Sequence, residues 1–437
     1  MRILSFNSVL PSPHYSHQDV LCVSAPLRET SIAVAVLWML LSANAGRAEN
    51  WDRFRGANGA GQSDAPSIPS LWTEENFLWK RRLPGVGHSS PVIWDGRVFV
   101  TSGDRKTSEK IVQAFDAQSG ELLWEQRFPG TTYSLHAFNS YASSTPAVDA
   151  EHLYIVWRDR TNLTLVALTH DGDEVWRADA GKCEEKHGFG TSPVVVDDIV
   201  CLANDNETMS EVVAFDRLAG EIRWRMPRES GITSYCTPCV LDASAEEKLL
   251  LVASNASGLA AIEAASGRVA WRAVEHGLPE RCVASPVVVG GLVFVSCGSG
   301  GNGLHMIALR PPTNTEDARE VYRLRQAVPQ VPTAVAAAGL LFLWHDGGTV
   351  ACIDAATGKQ HWRQRVSSNC HGSPIRVDNR IFCVSLDGEV NVLAAESTFK
   401  LLAHNSLGEP SRATPAVADD RMVLRTESSL VCVGAEK

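Results

Sequence analysis

Side chains that can bind ligands recur just before a Ser/Thr-Pro step that is repeated along the chain. The candidates that lie three residues before the proline of this step are His88, Tyr235, His371 and Arg412, with His187 and Arg281 nearby. A loop at residues 131–141 adds His136 and Asn139. Cys282 and Cys370 lie at neighbouring positions. If the fold brings these positions to one opening, their imidazole, phenol, thiol and guanidinium groups could bind an anionic or polar ligand, or a metal. The alternative is that the opening is polar only because water fills it.

Two further motifs match known chemical sites but lack the required context. Cys236-Thr-Pro-Cys239 has redox spacing, yet an extended strand would hold the two Cα atoms about 10 Å apart, which is too far for a disulfide. The run from Gly298 to Gly303 matches G-x-G-x-x-G. A strand is predicted after it, whereas dinucleotide binding requires a helix there. We therefore expect buried packing for these cysteines and a hairpin loop for the glycines.

The elements that must position the candidate residues are repeats. A glycine is followed four residues later by a tryptophan in five near-copies of one phrase, such as DAQSGELLW and DAATGKQHW. The five tryptophans are Trp124, Trp176, Trp224, Trp271 and Trp362. The gaps between them are 52, 48 and 47 residues, then 91, which spans two units. A period of this size is typical of stacked or radially arranged supersecondary units.

A second repeated phrase indicates how many units the chain contains. A Ser/Thr-Pro step opens an apolar run in seven places, and an alanine replaces the proline in an eighth. The anchors are Pro91, Pro146, Pro193, Pro238, Pro286, Ala334, Pro374 and Pro415. Each unit contains short apolar runs separated by Gly, Asp and Asn turns, which predicts four strands. The sequence therefore predicts an all-β, eight-bladed β-propeller of four-stranded antiparallel blades.

The last unit ends after its third predicted strand, in the run SSLVCVG. The missing fourth strand is predicted at the other end of the chain, in NFLWKRRLPG around Trp79. Pairing this N-terminal strand into the last blade would close the ring. Closure would also remove the open sheet edges that otherwise invite aggregation.

The A-x-D-x-x-(T/S)-G-x-x-x-W phrase resembles the pyrroloquinoline-quinone-like (PQQ-like) propeller repeat family. The segment WDRFRGANGAGQSD, which begins at Trp51, is similar to the opening of secreted planctomycete-type members. The resemblance implies that an outer-strand tryptophan docks each blade against its neighbour. Those residues are Trp79, Trp124, Trp176, Trp224, Trp271 and Trp362. The family includes quinone-dependent dehydrogenases and non-catalytic scaffolds, among them the propellers of outer-membrane-protein assembly lipoproteins.

Charge and the N-terminal sequence set the expected partners and domains. The net charge is −10 and there is no basic stripe, which argues against nucleic-acid binding. An apolar run at residues 32–41 predicts a signal peptide over residues 1–48, with an uncleaved anchor as the alternative. We expect an N-terminal extension at residues 49–73 and the propeller at residues 74–437. After cleavage we expect a periplasmic or secreted monomer without a stable membrane span.

Three functional hypotheses remain open. The favoured one is a non-catalytic, exported scaffold that presents one face and its central funnel to a protein or cell-envelope partner, without a cofactor, metal or catalytic residue. The alternative is a PQQ-dependent dehydrogenase of alcohols or sugars, for which the resemblance implies the quinone with calcium. No carboxylate matches that family's catalytic motif, and no two cysteines are adjacent. The third is polysaccharide binding, with Tyr133 and Phe138 stacking on sugars.

Overall fold

The structure, a computed structural model, describes residues 50–435 except 186, 245–246 and 274–276. The described residues form eight sheets, seven with four strands and one with five. Within each blade, neighbouring strands pair antiparallel and follow one another in the chain, apart from the strands that the N-terminal region contributes. The predicted all-β, eight-bladed propeller is confirmed. The predicted signal peptide at residues 1–48 lies outside the described residues.

Each blade runs from an inner strand, which follows the Ser/Thr-Pro anchor, to an outer strand. The strands of blades 1 and 2 are Val92–Trp94, Arg97–Gly103, Lys110–Asp116 and Leu122–Phe128, then Ala147–Val148, Leu153–Asp159, Asn162–Leu168 and Glu174–Lys182. The strands of blades 3 and 4 are Val194–Val196, Ile199–Asn204, Ser210–Asp216 and Ile222–Arg228, then Cys239–Asp242, Lys248–Ser254, Gly258–Glu263 and Val269–Ala273.

The second half of the ring repeats this order. The strands of blades 5 and 6 are Val287–Val289, Leu292–Ser299, Asn302–Arg310 and Arg319–Leu324, then Val335–Ala337, Leu340–Trp344, Thr349–Asp354 and Gln360–Arg365. The strands of blades 7 and 8 are Ile375–Val377, Arg380–Val384, Glu389–Ala394 and Leu401–Ser406, then Ala416–Ala418, Arg421–Arg425, Ser429–Gly434 and Trp79–Arg82. Two short 3-10 helices, Ala57–Gly59 and Glu74–Asn76, precede the ring. Among the described residues, no helix has the length and apolar character needed to cross a bilayer.

The ring closes as the sequence predicts. Trp79–Arg82 is the outer strand of blade 8 and pairs antiparallel with Ser429–Gly434, with Trp79 opposite Cys432. The indole N–H of Trp79 donates a hydrogen bond of 3.1 Å to the carbonyl of Ala117 in blade 1. The N-terminal strand therefore completes the last blade and also contacts the first one.

The outer-strand aromatic residues join successive blades in the same way around most of the ring. The indole N–H groups of Trp124, Trp176, Trp224 and Trp362 each donate to a carbonyl of the following blade: His170, Arg217, Ala264 and Glu396. In blade 5 the Tyr322 hydroxyl takes this role and donates to Ala355 at 2.7 Å. Trp271 packs against the apolar core that blades 4 and 5 share.

Two physical reasons explain why the repeated phrase has a glycine at this position. Gly120 has a φ of 68°, a conformation that a residue with a Cβ adopts only at a cost. It also lies directly against the indole of Trp79, so that a Cβ there would be 2.5 Å from a ring atom. The same contact joins Gly220 to Trp176. The glycine of one blade and the tryptophan of the preceding blade therefore form one packing unit.

The N-terminal segment, residues 50–63, crosses one end of the central channel and contacts blades on opposite sides. The backbone N–H of Val148 in blade 2 donates to the Asp52 carbonyl at 2.8 Å, and Arg55 binds a carbonyl at the start of blade 6. It begins with a bridge between Trp51 and Ile93 of blade 1. It ends with the strand Gln62–Ser63, which pairs in parallel with Ile375–Val377 of blade 7. Between them Arg55 is fully buried and donates to the carbonyls of Thr333, Ala334 and Pro374 at 2.6, 2.7 and 3.2 Å. This segment closes that end of the channel.

The two motifs that resembled chemical sites are structural in this fold. Cys236 and Cys239 are buried in the core between blades 4 and 5. All ten cysteines of the described part are buried and free. The run from Gly298 to Gly303 forms the hairpin between the strands Leu292–Ser299 and Asn302–Arg310, with no helix after it.

Candidate functional site

Eight hydroxyl residues, one before each anchor, form a hydrogen-bonded ring around the channel. In chain order they are Ser90, Thr145, Ser192, Thr237, Ser285, Thr333, Ser373 and Thr414. The backbone N–H of each donates to the side-chain oxygen of the next, and Thr414 returns to Ser90, at distances of 2.9 to 3.2 Å. Each N–H that enters an inner strand is thereby satisfied away from water. We call this set the hydroxyl ring.

The channel contains a cavity of about 630 Å³, which we call the funnel. The hydroxyl ring lines it, and so does Phe54 of the N-terminal segment, which crosses the end of the channel that the segment closes. All eight positions three residues before the anchors line the funnel as well: His88, Ser143, Gly190, Tyr235, Val283, Val331, His371 and Arg412. The remaining candidates His136, Asn139, His187 and Arg281 also line it. The fold thus brings all eight candidate side chains of the sequence analysis to one cavity.

The two cysteines expected near the opening are elsewhere. Cys282 and Cys370 are both fully buried in inter-blade cores and do not line the funnel. Successive side chains of an extended chain point to opposite sides. Because Val283 and His371 face the funnel, the preceding cysteines face the core.

The loop at residues 131–141 crosses the funnel mouth. Asn139 anchors it, because its side-chain N–H donates to the carbonyl of His187 at 2.8 Å. Phe138 extends from this loop toward the residues that lead into blades 7 and 8, where its ring lies 5.5 Å from the His371 ring and 5.6 Å from the Arg412 guanidinium. Phe138 is 55% exposed, so it is the aromatic side chain of this loop that a ligand would meet first.

Tyr133, the second aromatic residue of this loop, has a packing role. Its ring lies 4.5 Å from the Arg158 guanidinium and meets the Tyr141 ring edge-on at 5.0 Å. The Tyr141 hydroxyl donates to the Tyr133 carbonyl at 2.9 Å. These contacts occupy the Tyr133 ring, and Tyr133 does not belong to the described lining of the funnel, which weakens the idea that it stacks on a sugar.

One wall of the funnel carries a cluster of Arg412, His88 and His371. Burial and the positive charge of Arg412 lower the pKa of His88 to about 3 and that of His371 to about 4. The Nε2 atom of His88 and the Nε atom of Arg412 have no hydrogen-bond partner among the described residues. The cluster therefore holds two neutral imidazoles beside one guanidinium that makes no ion pair with a described residue.

Another part of the wall carries Arg281, His187 and His136. The Arg281 guanidinium lies 5.7 Å from the Tyr235 ring, and the two imidazole rings are 5.0 Å apart. Burial, Arg281 and His136 lower the pKa of His187. The Nε atom of Arg281 has no partner among the described residues. The funnel thus presents two cationic groups on different blades.

Glu185, which the sequence analysis did not identify, stabilises this second cluster from behind. Its buried carboxylate accepts hydrogen bonds from Arg158 at 2.7 Å and from the Tyr235 hydroxyl at 2.9 Å. It also accepts the backbone N–H of His187 at 2.6 Å. These bonds orient Tyr235 and fix the loop that carries His187. They also satisfy the carboxylate, so that it does not neutralise Arg281 directly.

Asp346 is the one carboxylate residue among the described residues that line the funnel. Its oxygens accept the backbone N–H groups of Gln330 and Val331 at 2.7 and 3.0 Å, and burial raises its pKa. Calcium takes six to eight oxygen ligands, several of them carboxylates. No group of three or more metal-binding side chains occurs in the described part of the chain. The donors present therefore do not fit a calcium ion, or the calcium-linked quinone of the dehydrogenases.

A family model described as outer membrane protein assembly factor BamB matches residues 73–133, 208–336 and 314–434. No curated protein matches the chain. Among solved structures, BamB from Moraxella catarrhalis is 13% identical, with a TM-score of 0.58, over 83% of this chain and 98% of that one. The quinohemoprotein alcohol dehydrogenase from Comamonas testosteroni is 14% identical, with a TM-score of 0.64, over 91% and 83% of the two chains.

Sqt1 from Saccharomyces cerevisiae is 10% identical, with a TM-score of 0.58, and matches 86% of this chain and all of that one. Likeness at such low identity establishes the fold and leaves the activity open. The family model, in contrast, covers most of the propeller blades. The chain therefore belongs to the PQQ-like β-propeller family whose model is described as outer membrane protein assembly factor BamB.

Proposed function

We propose that this protein is an exported, non-catalytic binding propeller that receives part of a protein or cell-envelope partner at its funnel mouth. The observation that supports this proposal most directly is that the funnel is closed at one end and open at the other. Arg55 and its neighbours hold the N-terminal segment across one end, while Phe138, His136 and the two arginine clusters surround the opening. Such a cavity suits the capture of a ligand, not passage through the ring.

The side chains of the funnel support binding over catalysis. Asp346 is held by two backbone N–H groups, and Glu185 is held by Arg158 and Tyr235. A general base needs a free acceptor within reach of a substrate proton, and Glu185 has none, because each of its oxygens accepts two hydrogen bonds from the protein. Guanidinium, imidazole and an exposed aromatic ring are instead groups that contribute strongly to recognition.

The family match supports an envelope location and a protein partner, since its model carries the description of an outer-membrane-protein assembly factor. The apolar run at residues 32–41 supports export. Partner binding at the funnel is tested by co-purification from native envelopes with a tagged chain and with a Phe138→Ala variant. A Leu122→Ala variant, changed on the outer strand of blade 1, is the matched control. We expect a partner that the control retains and Phe138→Ala loses.

Equal recovery by both variants would place the partner elsewhere and contradict the proposal. The dehydrogenase alternative is kept because a quinohemoprotein alcohol dehydrogenase shares this fold. It is tested by titrating the purified protein with PQQ and Ca²⁺ and measuring dye-linked oxidation of alcohols and sugars. Quinone binding with turnover would overturn the non-catalytic proposal.

A further inference from the structure

Resting on this binding role, we propose that the funnel recognises a carboxylate and that its binding is coupled to proton uptake. The carboxylate would lie against Arg412, His88 and His371, with Arg281 and His187 on the other cationic wall. The same chemistry can come from the C-terminus of a polypeptide or from a free organic acid. The experiment below separates these two sources.

Arg412 lacks a counter-charge in the described part of the chain. No described acidic group forms an ion pair with Arg412. The negative charge of Glu427 acts on Arg412, but Glu427 forms its ion pair with Arg105, at 3.2 Å. The Nε atom of Arg412 is buried and has no hydrogen-bond partner among the described residues, although its guanidinium lies over Phe138. An unpaired, partly buried guanidinium is a strong site for an anion.

The acidic groups at the funnel already accept hydrogen bonds from other parts of the protein. Asp346 accepts two backbone N–H groups, and Glu185 accepts from a guanidinium, a phenol and a backbone N–H. Arg281 forms no ion pair with a described residue either, and its Nε is unpartnered among them. The described lining of the funnel therefore carries two guanidinium groups against the one carboxylate of Asp346, a positive balance that a ligand with negative charge would neutralise.

Three histidines of the funnel have pKa values below the ordinary value of histidine. The charged groups that influence His88 are Arg412, Arg425 and Arg105, and all of them disfavour its protonation, as burial does. His371 is influenced by Arg412 and His136 in the same direction. His187 is influenced by Arg281 and His136, while Glu185 and Glu207 oppose them. A bound carboxylate adds the missing negative charge and raises these pKa values, so that protons enter with the ligand.

The arrangement of hydrogen-bond donors in the funnel favours a carboxylate over a phosphate. Each wall offers one guanidinium with imidazole groups beside it, which matches a monoanion with two oxygens. The hydroxyl ring and Phe54 line the inner part of the funnel, and no described residue there supplies a positive side chain. A phosphate dianion with more acceptor oxygens would leave part of its charge without a donor. Inorganic phosphate is therefore the comparison ligand.

The test is isothermal titration calorimetry of the full mature chain with lactate, with N-acetylated tetra-alanine that has a free C-terminus, with its C-terminal amide, and with phosphate. Titrations at pH about 5.5 and about 7.5, in buffers of different ionisation enthalpy, count the protons taken up. We expect a carboxylate probe to bind about tenfold more tightly at the lower pH, with net proton uptake. The amide and phosphate should bind much more weakly.

Arg412→Gln and Arg281→Gln should each weaken binding by about tenfold or more. Arg363→Gln, the same change on the exposed outer strand of blade 6, should leave it unaltered. Circular dichroism checks that each variant is folded. Tighter binding of tetra-alanine would identify a polypeptide terminus as the source, and tighter binding of lactate would identify a free acid.

No binding of either carboxylate probe overturns the proposal, as does equal binding to Arg412→Gln, equal binding of the amide, or binding without proton uptake. If this happens while Phe138→Ala still loses the co-purified partner, the ligand chemistry is wrong and the binding role stands. If both experiments fail, the binding role is wrong as well.

Discussion

The hydroxyl of Ser90 accepts a hydrogen bond of 3.0 Å from the backbone N–H of Thr414, although 324 residues separate them. This bond is the last of eight that run once around the channel. It joins the first Ser/Thr-Pro anchor to the last and therefore exists only in the closed propeller. The hydroxyl ring is thus a direct structural marker of ring closure, and it forms part of the funnel wall.

Replacing Thr414 by valine should destabilise the closed ring. Valine has the same shape but no acceptor, so the buried N–H of Ser373 loses its partner at 3.0 Å. A buried donor without a partner costs about 1–3 kcal/mol in the free energy of unfolding. Thr414→Ser keeps the hydroxyl and should lose much less. Urea unfolding measures both variants, and equal stability of Thr414→Val and the unmodified protein would show that the ring bonds do not stabilise the fold.

Trp224→Ala should remove the docking contact between blades 3 and 4. The indole packs against Gly267 and donates to the Ala264 carbonyl at 2.9 Å. Removing a large aromatic side chain from a packed site costs about 3–5 kcal/mol, and the half-buried position of this ring places the loss near the lower value. Trp224→Phe loses mainly the hydrogen bond, about 1 kcal/mol. Thermal and urea unfolding measure both, and a loss below about 1 kcal/mol for the alanine variant would disprove the docking role.

Arg55→Met should release the N-terminal segment from the end of the channel. The change leaves the carbonyls of Thr333 and Ala334 without their donor in a buried site. We expect a loss of about 3 kcal/mol in the free energy of unfolding, because each orphaned acceptor costs about 1–3 kcal/mol. Limited proteolysis should then cut residues 50–63 early. Arg55→Lys keeps the charge and should protect the segment partly, whereas unchanged proteolysis of Arg55→Met would show that Arg55 does not hold it.

The histidines of the first cluster should make the fold less stable in acid. The pKa of His88 falls from its ordinary value of 6.5 to about 3, and that of His371 falls to about 4. Between pH 6.5 and about 4 the unfolded chain binds protons that the folded chain does not, so stability falls as the pH falls. The double variant of His88→Gln and His371→Gln should lose less stability over this range. His361→Gln, on an exposed outer strand, is the control, and parallel pH profiles for both variants would contradict the assignment.

The blades were predictable because their signals are local and repeated. The glycine before Trp124 and the proline at position 91 each encode a turn or a strand start within a few residues. The N-terminal segment was not predictable as a closure, because Arg55 binds carbonyls about 280 residues away that carry no side-chain pattern. The hydroxyl ring was not predictable for the same reason. Its alternating serines and threonines are visible in the sequence, but their hydrogen bonds connect neighbouring blades.

The candidate site was predictable from equivalent positions of the repeat and from side chains near them in the sequence. His88 and Arg412 stand three residues before their anchors, so symmetry places them together. Glu185 and Asp346 lie outside that position, one behind a loop and one in a turn after an inner hairpin, and only the folded ring brings them to the funnel. The cysteines at positions 282 and 370 show the converse error, since a shift of one residue turns a side chain from the funnel to the core.

The central claim, that the funnel mouth contacts a partner, is tested most directly by site-specific photocrosslinking in native envelopes. A photoreactive phenylalanine analogue replaces Phe138 at the mouth or Leu122 on the outer wall of blade 1, which is 47% exposed. The account predicts a discrete crosslinked product from position 138 that position 122 does not form. No product from position 138, or the same product from both positions, would contradict it.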